Sequence, residues 1–425
     1  MSPFNLETCA RPNILALEPY RCARDDYKDD GTNILLDANE NAYGPPLPSS
    51  SSSTPDGPTL DLSTLHRYPD PHQIRLKQLL CDLRTTNPSN PRPLTPDNLF
   101  VGVGSDEAID ALLRCFCVPG RDSILVCPPT YGMYSVSAQV NDVSLVRVPL
   151  LPAPGFGLDV PAILSTLSSP GSETIKLIYL CSPGNPTGAR LSPADVRAVL
   201  AHPTWNGVVV VDEAYVDFCA DPDAEGNPAS LAEWVTEYPN LVVLQTLSKA
   251  FGLAGLRLGA AFASAPIARL LNNLKAPYNV SSLTSAVAEW ALGEQGLARM
   301  REHREKLLEQ RDRLVRELPR IPGVGRLRGG LDSNFLLYEM LDREGKPDNA
   351  TALAVYERLA ENKGVVVRFR GKEHGCLGCL RITVGTEEEV TRFLAALERT
   401  LAEVRGTAAP ADEEKREADA SRVVD

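Results

Sequence analysis

The sequence predicts an α/β protein: a large domain with a mostly parallel sheet flanked by helices, followed by a smaller α+β domain. Three observations predict it. Short apolar runs such as Ile124-Leu125-Val126-Cys127 and Val208-Val209-Val210-Val211 alternate with segments of helical period, the pattern of an open sheet covered on both faces. Beyond residue 333, strand-like and helix-like segments follow one another in a shorter set. The 425 residues also exceed what one hydrophobic core ordinarily encloses, so two domains are expected.

Taken in order, residues 1–35 read as an arm of mixed composition. Residues 48–58 are dominated by Ser and Pro and read as a mobile surface insertion. A helix is expected over 73–84, a second Pro-rich loop over 86–96, a strand over 98–103 and a helix over 107–117. Strands are expected at 124–127, 143–148, 176–181, 208–211, 241–245 and 259–263. Helices fall at 131–140 and at 193–201, the latter with proline in its first turn. A long helical pattern covers 284–318. Strands at 333–339, 364–370 and 379–384 then alternate with helices at 350–362 and 387–405. The expected boundaries are an arm with its Ser/Pro-rich insertion (1–64), a large domain (65–290), a small domain (291–405) and a disordered charged tail (406–425). No internal repeat is present.

Composition narrows the function. With 43% hydrophobic and 23% charged residues the chain reads as soluble and globular. A net charge of −12 argues against nucleic acid or an anionic membrane as a partner, because both require a basic surface. No apolar run approaches the roughly 20 residues of a membrane span. The first residues lack a basic segment followed by an apolar core, so no secretory signal is expected and a cytoplasmic location is. The ten cysteines then read as reduced thiols. Cys376-Leu377-Gly378-Cys379 follows His374, but no second pair lies at finger-like spacing, and no metal is expected.

Several motifs fall where strands end. Thr246-Leu247-Ser248-Lys249 follows an apolar strand and is joined eight residues on by Arg257. A lysine among apolar neighbours can lose its proton and act as a nucleophile, while Ser248 and Arg257 suit a phosphate. An isolated lysine there is ordinarily solvated. Gly102-Val103-Gly104-Ser105-Asp106-Glu107 joins strand to helix, where backbone N–H groups and the helix dipole favour a phosphate. Glu107 occupies the third glycine position of a dinucleotide fingerprint, which disfavours a nicotinamide enzyme. The same turn also reads as a simple helix cap. Asn185, in Ser182-Pro183-Gly184-Asn185-Pro186-Thr187-Gly188, offers an amide at another strand end. Asp212 and Tyr215 end the Val208 strand, and a carboxylate emerging there needs a partner. Tyr131 is a ring that can stack or simply pack. Arg368 and Arg381 are forks that fit carboxylate or phosphate, or are ordinary surface residues. Combined, these groups match what pyridoxal phosphate requires: a lysine for covalent attachment, a carboxylate for the ring nitrogen, donors for the ring oxygen, a stacking group and a phosphate cradle.

The ordered set of motifs resembles the fold-type-I pyridoxal-phosphate-dependent aminotransferases, over about residues 33–405. Its carriers are Asp37-Ala38-Asn39-Glu40-Asn41 with Tyr43-Gly44-Pro45, Arg67-Tyr68-Pro69-Asp70, Gly104-Ser105-Asp106-Glu107 and Pro128 through Tyr134. Asn185-Pro186-Thr187-Gly188, Asp212-Glu213-Ala214-Tyr215, Thr246 through Phe251 and Leu380-Arg381-Ile382-Thr383 complete it. Pro128–Tyr134 and Thr246–Arg257 are most similar to the histidinol-phosphate branch.

The resemblance implies roles. Lys249 would carry pyridoxal 5'-phosphate and shuttle a proton, and Asp212 would pair with the ring nitrogen. Tyr215 and Asn185 would bond the ring oxygen, and Tyr131 would stack. Ser248, Arg257 and the backbone of Ser105 and Asp106 would hold the phosphate, with Tyr68 lent by a second subunit, so a homodimer with shared active sites is implied. Arg381 would bind the carboxylate of glutamate or 2-oxoglutarate. Arg368, Arg381 and Tyr43 of the partner subunit are candidates for the substrate phosphate, and Asn185 also borders the substrate. The implied reaction converts L-histidinol phosphate and 2-oxoglutarate to imidazole-acetol phosphate and L-glutamate, in histidine biosynthesis. An aromatic-amino-acid aminotransferase and an amino-acid-phosphate decarboxylase are the alternatives on the same scaffold. One departure stands out: Gly184 occupies a position where many family members carry asparagine.

Overall fold

In the computed structural model of the chain the described residues are 11–16, 32–48, 57–58, 62–86, 90–220, 222 and 228–406. Most of the Ser/Pro-rich insertion and nearly all of the tail lie outside them. The described residues divide into two compact units. One takes 11–16, 40–308 and 329–334, and the other takes 32–39, 309–328 and 335–406.

The larger unit is built on seven strands: β1 (Leu99–Val103), β2 (Ser123–Val126), β3 (Ser144–Arg147), β4 (Ile175–Cys181), β5 (Val208–Asp212), β6 (Leu241–Thr246) and β7 (Leu258–Ala263). Their order across the sheet is β1-β7-β6-β5-β4-β2-β3. All pairings are parallel except the two made by β7, which runs against both β1 and β6. β5 reads Val-Val-Val-Val-Asp because it is buried along its whole length, so neither face needs polar residues. Leu112, Ile124, Tyr134, Tyr179, Val210 and Leu244 belong to the core that fills one face.

The antiparallel run of β7 matters for the site. The parallel strands β1, β4, β5 and β6 deliver their C-terminal ends to one edge of the sheet. β7 delivers its beginning to that same edge, so Arg257, just before it, joins Ser248 and Lys249 in one connection.

In the smaller unit β8 (Val324–Leu327), β9 (Phe335–Met340), β10 (Arg368–Phe369) and β11 (Cys379–Thr383) form an antiparallel sheet in the order β10-β11-β9-β8. Helices Asn349–Lys363 and Glu387–Val404 belong to it. The second begins with a reciprocal cap between Thr386 and Glu389, which satisfies two otherwise open N–H groups.

Several elements differ from the sequence reading. The expected helix over 284–318 is two helices, Ser282–Ala291 and Glu294–Glu317. Gly293 and Gly296 explain the break: a Cβ on Gly296 would come within 2.4 Å of the Ala291 carbonyl oxygen. The expected strand over 364–370 is two short strands in different sheets. Val365–Val366 pairs in parallel with Ile34–Leu35, in the segment read as an arm, while Arg368–Phe369 joins β11. The helices Val160–Leu167 and Ala265–Leu274 and the strand β8 have no counterpart in the sequence reading.

Candidate active site

Strand register aligns the chemistry-bearing loops. Cys181 lies beside Asp212, Asp212 beside Leu244, Thr246 beside Gly259, and Val103 beside Leu258. The residues just beyond these positions therefore emerge together at one sheet edge: Ser105, Asn185, Tyr215, Ser248 with Lys249, and Arg257.

Asp212 is the electrostatic centre. It is 2% exposed, and burial pushes its carboxyl up from 3.8 to about 6 despite hydrogen bonds that oppose the shift. Those bonds come from neutral donors: Tyr134 Oη donates to Oδ2 at 2.7 Å and the Ala214 N–H to Oδ1 at 3.2 Å. A buried carboxylate held only by neutral donors is matched by a ligand that brings positive charge, such as a protonated ring nitrogen. The next residue, Glu213, is also buried, but strand alternation sends it elsewhere. It accepts bonds from Ser230 Oγ at 2.7 Å, Leu231 N at 2.6 Å and Gln245 Nε2 at 2.8 Å, a structural anchor rather than a ligand group.

Lys249 is half-buried, with Nζ 5.8 Å from the centre of the Tyr215 ring. Its loop is fixed from two sides. Asn41 Nδ2 donates to Ala250 O at 2.9 Å, and a Cβ on Gly252 would sit 2.3 Å from Gly44 O, so the Asn41–Gly44 turn lies directly against it. That turn carries Tyr43, whose ring neighbours are His303 and Lys306.

The helix Gly104–Phe116 begins at the end of β1, with Gly104 at φ +72°. The left-handed conformation is one reason for glycine; the Arg257 guanidinium, 2.7 Å from where a Cβ would stand, is another. Gly259 is still more constrained, since a Cβ there would lie 2.2 Å from the Ser105 nitrogen. The first-turn N–H groups of that helix, Arg257 and Ser248 thus gather around one small-residue cradle, the arrangement that holds a phosphate. Arg257 Nη2 lies 3.4 Å from Asp106 Oδ2, and Tyr131 Oη donates to Asp106 Oδ1 at 3.2 Å. Asp106 therefore orients both the arginine and the ring. The Ser248 N–H donates to Thr246 Oγ1 at 3.1 Å, and the two hydroxyls lie 2.8 Å apart.

Asn185 is 6% exposed in a loop closed by Gly188 N donating to Gly184 O at 2.7 Å. A Cβ on Gly184 would stand 2.3 Å from Thr187 Oγ1.

Three further sequence candidates are Tyr68, Arg368 and Arg381. Tyr68 is 82% exposed and stacks on Tyr278 with ring centres 4.7 Å apart. In the smaller unit Arg368 and Arg381 are direct partners across β10 and β11, which places both on one face of that sheet. Arg381 is buried, donates from Nη2 to Asp37 O and lies over the Phe335 ring at 5.4 Å. Two like charges directly opposite repel, so the pair suits an anion. Cys376 and Cys379 are buried thiols, their Sγ atoms against the carbonyls of His374 and Leu377.

Sequence reasoning missed Tyr134, which holds Asp212, and Gly259, which makes room for the cradle. Tyr134 lies one helical turn after Tyr131, the signal that both rings belong to one face; its target is 78 positions away.

Comparison with known proteins follows the same lines. The family model described as aminotransferase class I and II matches residues 32–397. Histidinol-phosphate aminotransferase of Schizosaccharomyces pombe is 52% identical over 402 residues, covering 94% of this chain and 98% of that protein. The protein of the same name from Saccharomyces cerevisiae is 49% identical over 406 residues, covering 94% and 98%. Among solved structures, histidinol-phosphate aminotransferase from Sinorhizobium meliloti in complex with pyridoxal-5'-phosphate is similar, with a TM-score of 0.75. It is 23% identical and covers 93% of this chain and 98% of that one.

Proposed function

The chain belongs to the aminotransferase class I and II family, and from that premise we propose that it moves the amino group of L-histidinol phosphate to 2-oxoglutarate. The products are imidazole-acetol phosphate and L-glutamate, in histidine biosynthesis. The observation that carries the chemistry is Asp212, a carboxylate buried at a strand end with only neutral donors on its oxygens. The 52% identity to a relative of that activity carries the choice of substrate.

Pyridoxal 5'-phosphate fits the residues present. When bound, it supplies an electron sink for the pair left at the substrate's α-carbon. Lys249 would hold it covalently, and its Nζ would take the α-proton of the substrate. That role requires a neutral amine at the moment of proton transfer. Asp212 keeps a proton on the ring nitrogen. Tyr215 and Asn185 would donate to the ring oxygen, and Tyr131 would stack on the ring. Ser248, Arg257 and the N–H groups of Ser105 and Asp106 hold the phosphate in the cradle that Gly104 and Gly259 leave open.

Arg381 takes the carboxylate of glutamate or 2-oxoglutarate, and Arg368 with Arg381 and Tyr43 of the partner subunit takes the substrate phosphate. The cross-strand pairing of the two arginines supports this division. The working unit is a homodimer, in which Tyr68 reaches the partner's phosphate cradle. Its 82% exposure, stacked on a second outward tyrosine, supports that reading.

The test is direct. Purified protein carries the visible absorption of a lysine-bound cofactor, and Lys249→Ala removes it. Glutamate forms in step with loss of L-histidinol phosphate when 2-oxoglutarate is present, and L-phenylalanine is a poor donor. Transfer from phenylalanine alone, or release of carbon dioxide from an amino-acid phosphate, overturns the assignment.

A further inference from the structure

The larger unit has a second cleft, at the end of the sheet away from Lys249. Pro96 and Asp97 precede β1, whose far end leads to Ser105, and Ala265 and Pro266 follow β7, whose near end begins after Arg257. Five strand residues, about 16 Å, separate those ends. The walls are the helices Ile74–Arg84 and Ala265–Leu274, and the cleft encloses about 710 Å³. Small-molecule sites run from roughly 300 to 1,000 Å³.

Its charged lining is Lys77, Arg269 and Lys275 against one carboxylate, Asp97, in a chain of net charge −12. Lys77 is the anomalous member: it lines the cleft yet is only 5% exposed. An ammonium has three donors. Among the described residues the hydrogen-bond acceptor for Lys77 is the neutral Oδ1 of Asn272, at 3.1 Å. A buried charge held this way is costly unless an opposite charge arrives. Burial first, and then Lys275, push Lys77 down to about 8, against weaker opposition from Asp97, Asp70 and Cys81. Lys275 also lines the cleft, its Nζ fixed on Pro71 O at 2.8 Å and Asn279 Oδ1 at 3.0 Å. Arg269 lies one helical turn before Asn272 on the same helix, and His72 stands at the opposite wall. Proline and isoleucine side chains supply the apolar remainder.

We propose that this cleft is a second ligand site, for a phosphorylated small molecule, in which Lys77 and Arg269 hold the phosphate and Ile74, Pro266 and Pro277 pack the apolar part. None of these residues belongs to the reaction centre, so the site stands independently of the proposed substrate.

Calorimetric titration of inorganic pyrophosphate into the holoenzyme tests it, with wild type, Lys77→Met, Arg269→Ala and Arg368→Ala. Wild type binds one equivalent per chain. Each cleft variant weakens binding by at least about tenfold, the loss of one charge-assisted contact. Arg368→Ala leaves this binding intact, and Arg269→Ala leaves the rate of amino transfer unchanged. At about pH 8 binding also takes up protons, because an anion favours the ammonium of Lys77. That uptake, read in buffers of different ionisation heat, vanishes in Lys77→Met. Absence of binding to wild type overturns the proposal. So does binding that survives both cleft variants and is lost in Arg368→Ala, which assigns the anion to the catalytic arginines.

Discussion

Replacing Asp212 with asparagine should make the cofactor-free protein more stable near neutral pH while weakening its hold on the cofactor. The carboxyl titrates at about 6 in the fold against 3.8 as its ordinary value. A carboxyl raised by folding contributes stability below its unfolded value, and that contribution is lost as pH rises through the folded value. The gap of about two units corresponds to about 3 kcal/mol of cost fully present at about pH 8, and roughly half of it at about pH 5. Asparagine has nearly the same shape and no charge. It can still accept from Tyr134 Oη, but its amide group then faces the Ala214 N–H, which forfeits about 1 kcal/mol. The net expectation at about pH 8 is a gain of about 2 kcal/mol, shrinking to less than about 1 kcal/mol at about pH 5. Urea unfolding of both apoproteins at the two pH values, compared at equal m, measures it. A destabilised variant at the higher pH, or a difference that ignores pH, would refute the reasoning. Such a result would mean that solvent or a cation already compensates Asp212.

Two further outcomes follow from the same geometry. Tyr134→Phe removes a hydrogen bond to a charged group, worth about 1.5–3 kcal/mol, so Asp212 should rise by about one to two units. The acid limb of the rate profile then moves to higher pH by that amount, and an unmoved limb would deny Tyr134 any hold on the carboxylate. Gly259→Ala pushes a methyl group against the Ser105 nitrogen and should cost about 1–3 kcal/mol of stability together with much of the cofactor's retention; unchanged denaturant midpoint and cofactor release would show that the cradle has slack.

Much of this protein was legible in its sequence because the deciding interactions are local. The unbroken valines of β5 announce a strand covered on both faces, and the polar residues that follow such strands mark a ligand edge. Lys249, Asp212, Tyr215, Asn185 and Ser248 are candidates on that ground, each at or just past the end of an apolar run. Element boundaries were less legible where glycine packing or strand exchange decided them. The helix break at Gly293 depends on a backbone approach near Ala291, and residues 364–370 divide between two sheets.

Tertiary structure alone decided what no short stretch encodes. It turned β7 antiparallel, so that Arg257 reaches the edge served by the parallel strands. It set Tyr134 against Asp212 and put Arg368 directly opposite Arg381. It also buried Lys77 against Lys275 in a cleft that the helical pattern over 73–84 gives no reason to expect. The physical reason is common to all of them. Sequence period reports which face of an element avoids water, whereas the charge state and partner of a buried group depend on residues dozens of positions away that only folding brings within a few ångströms.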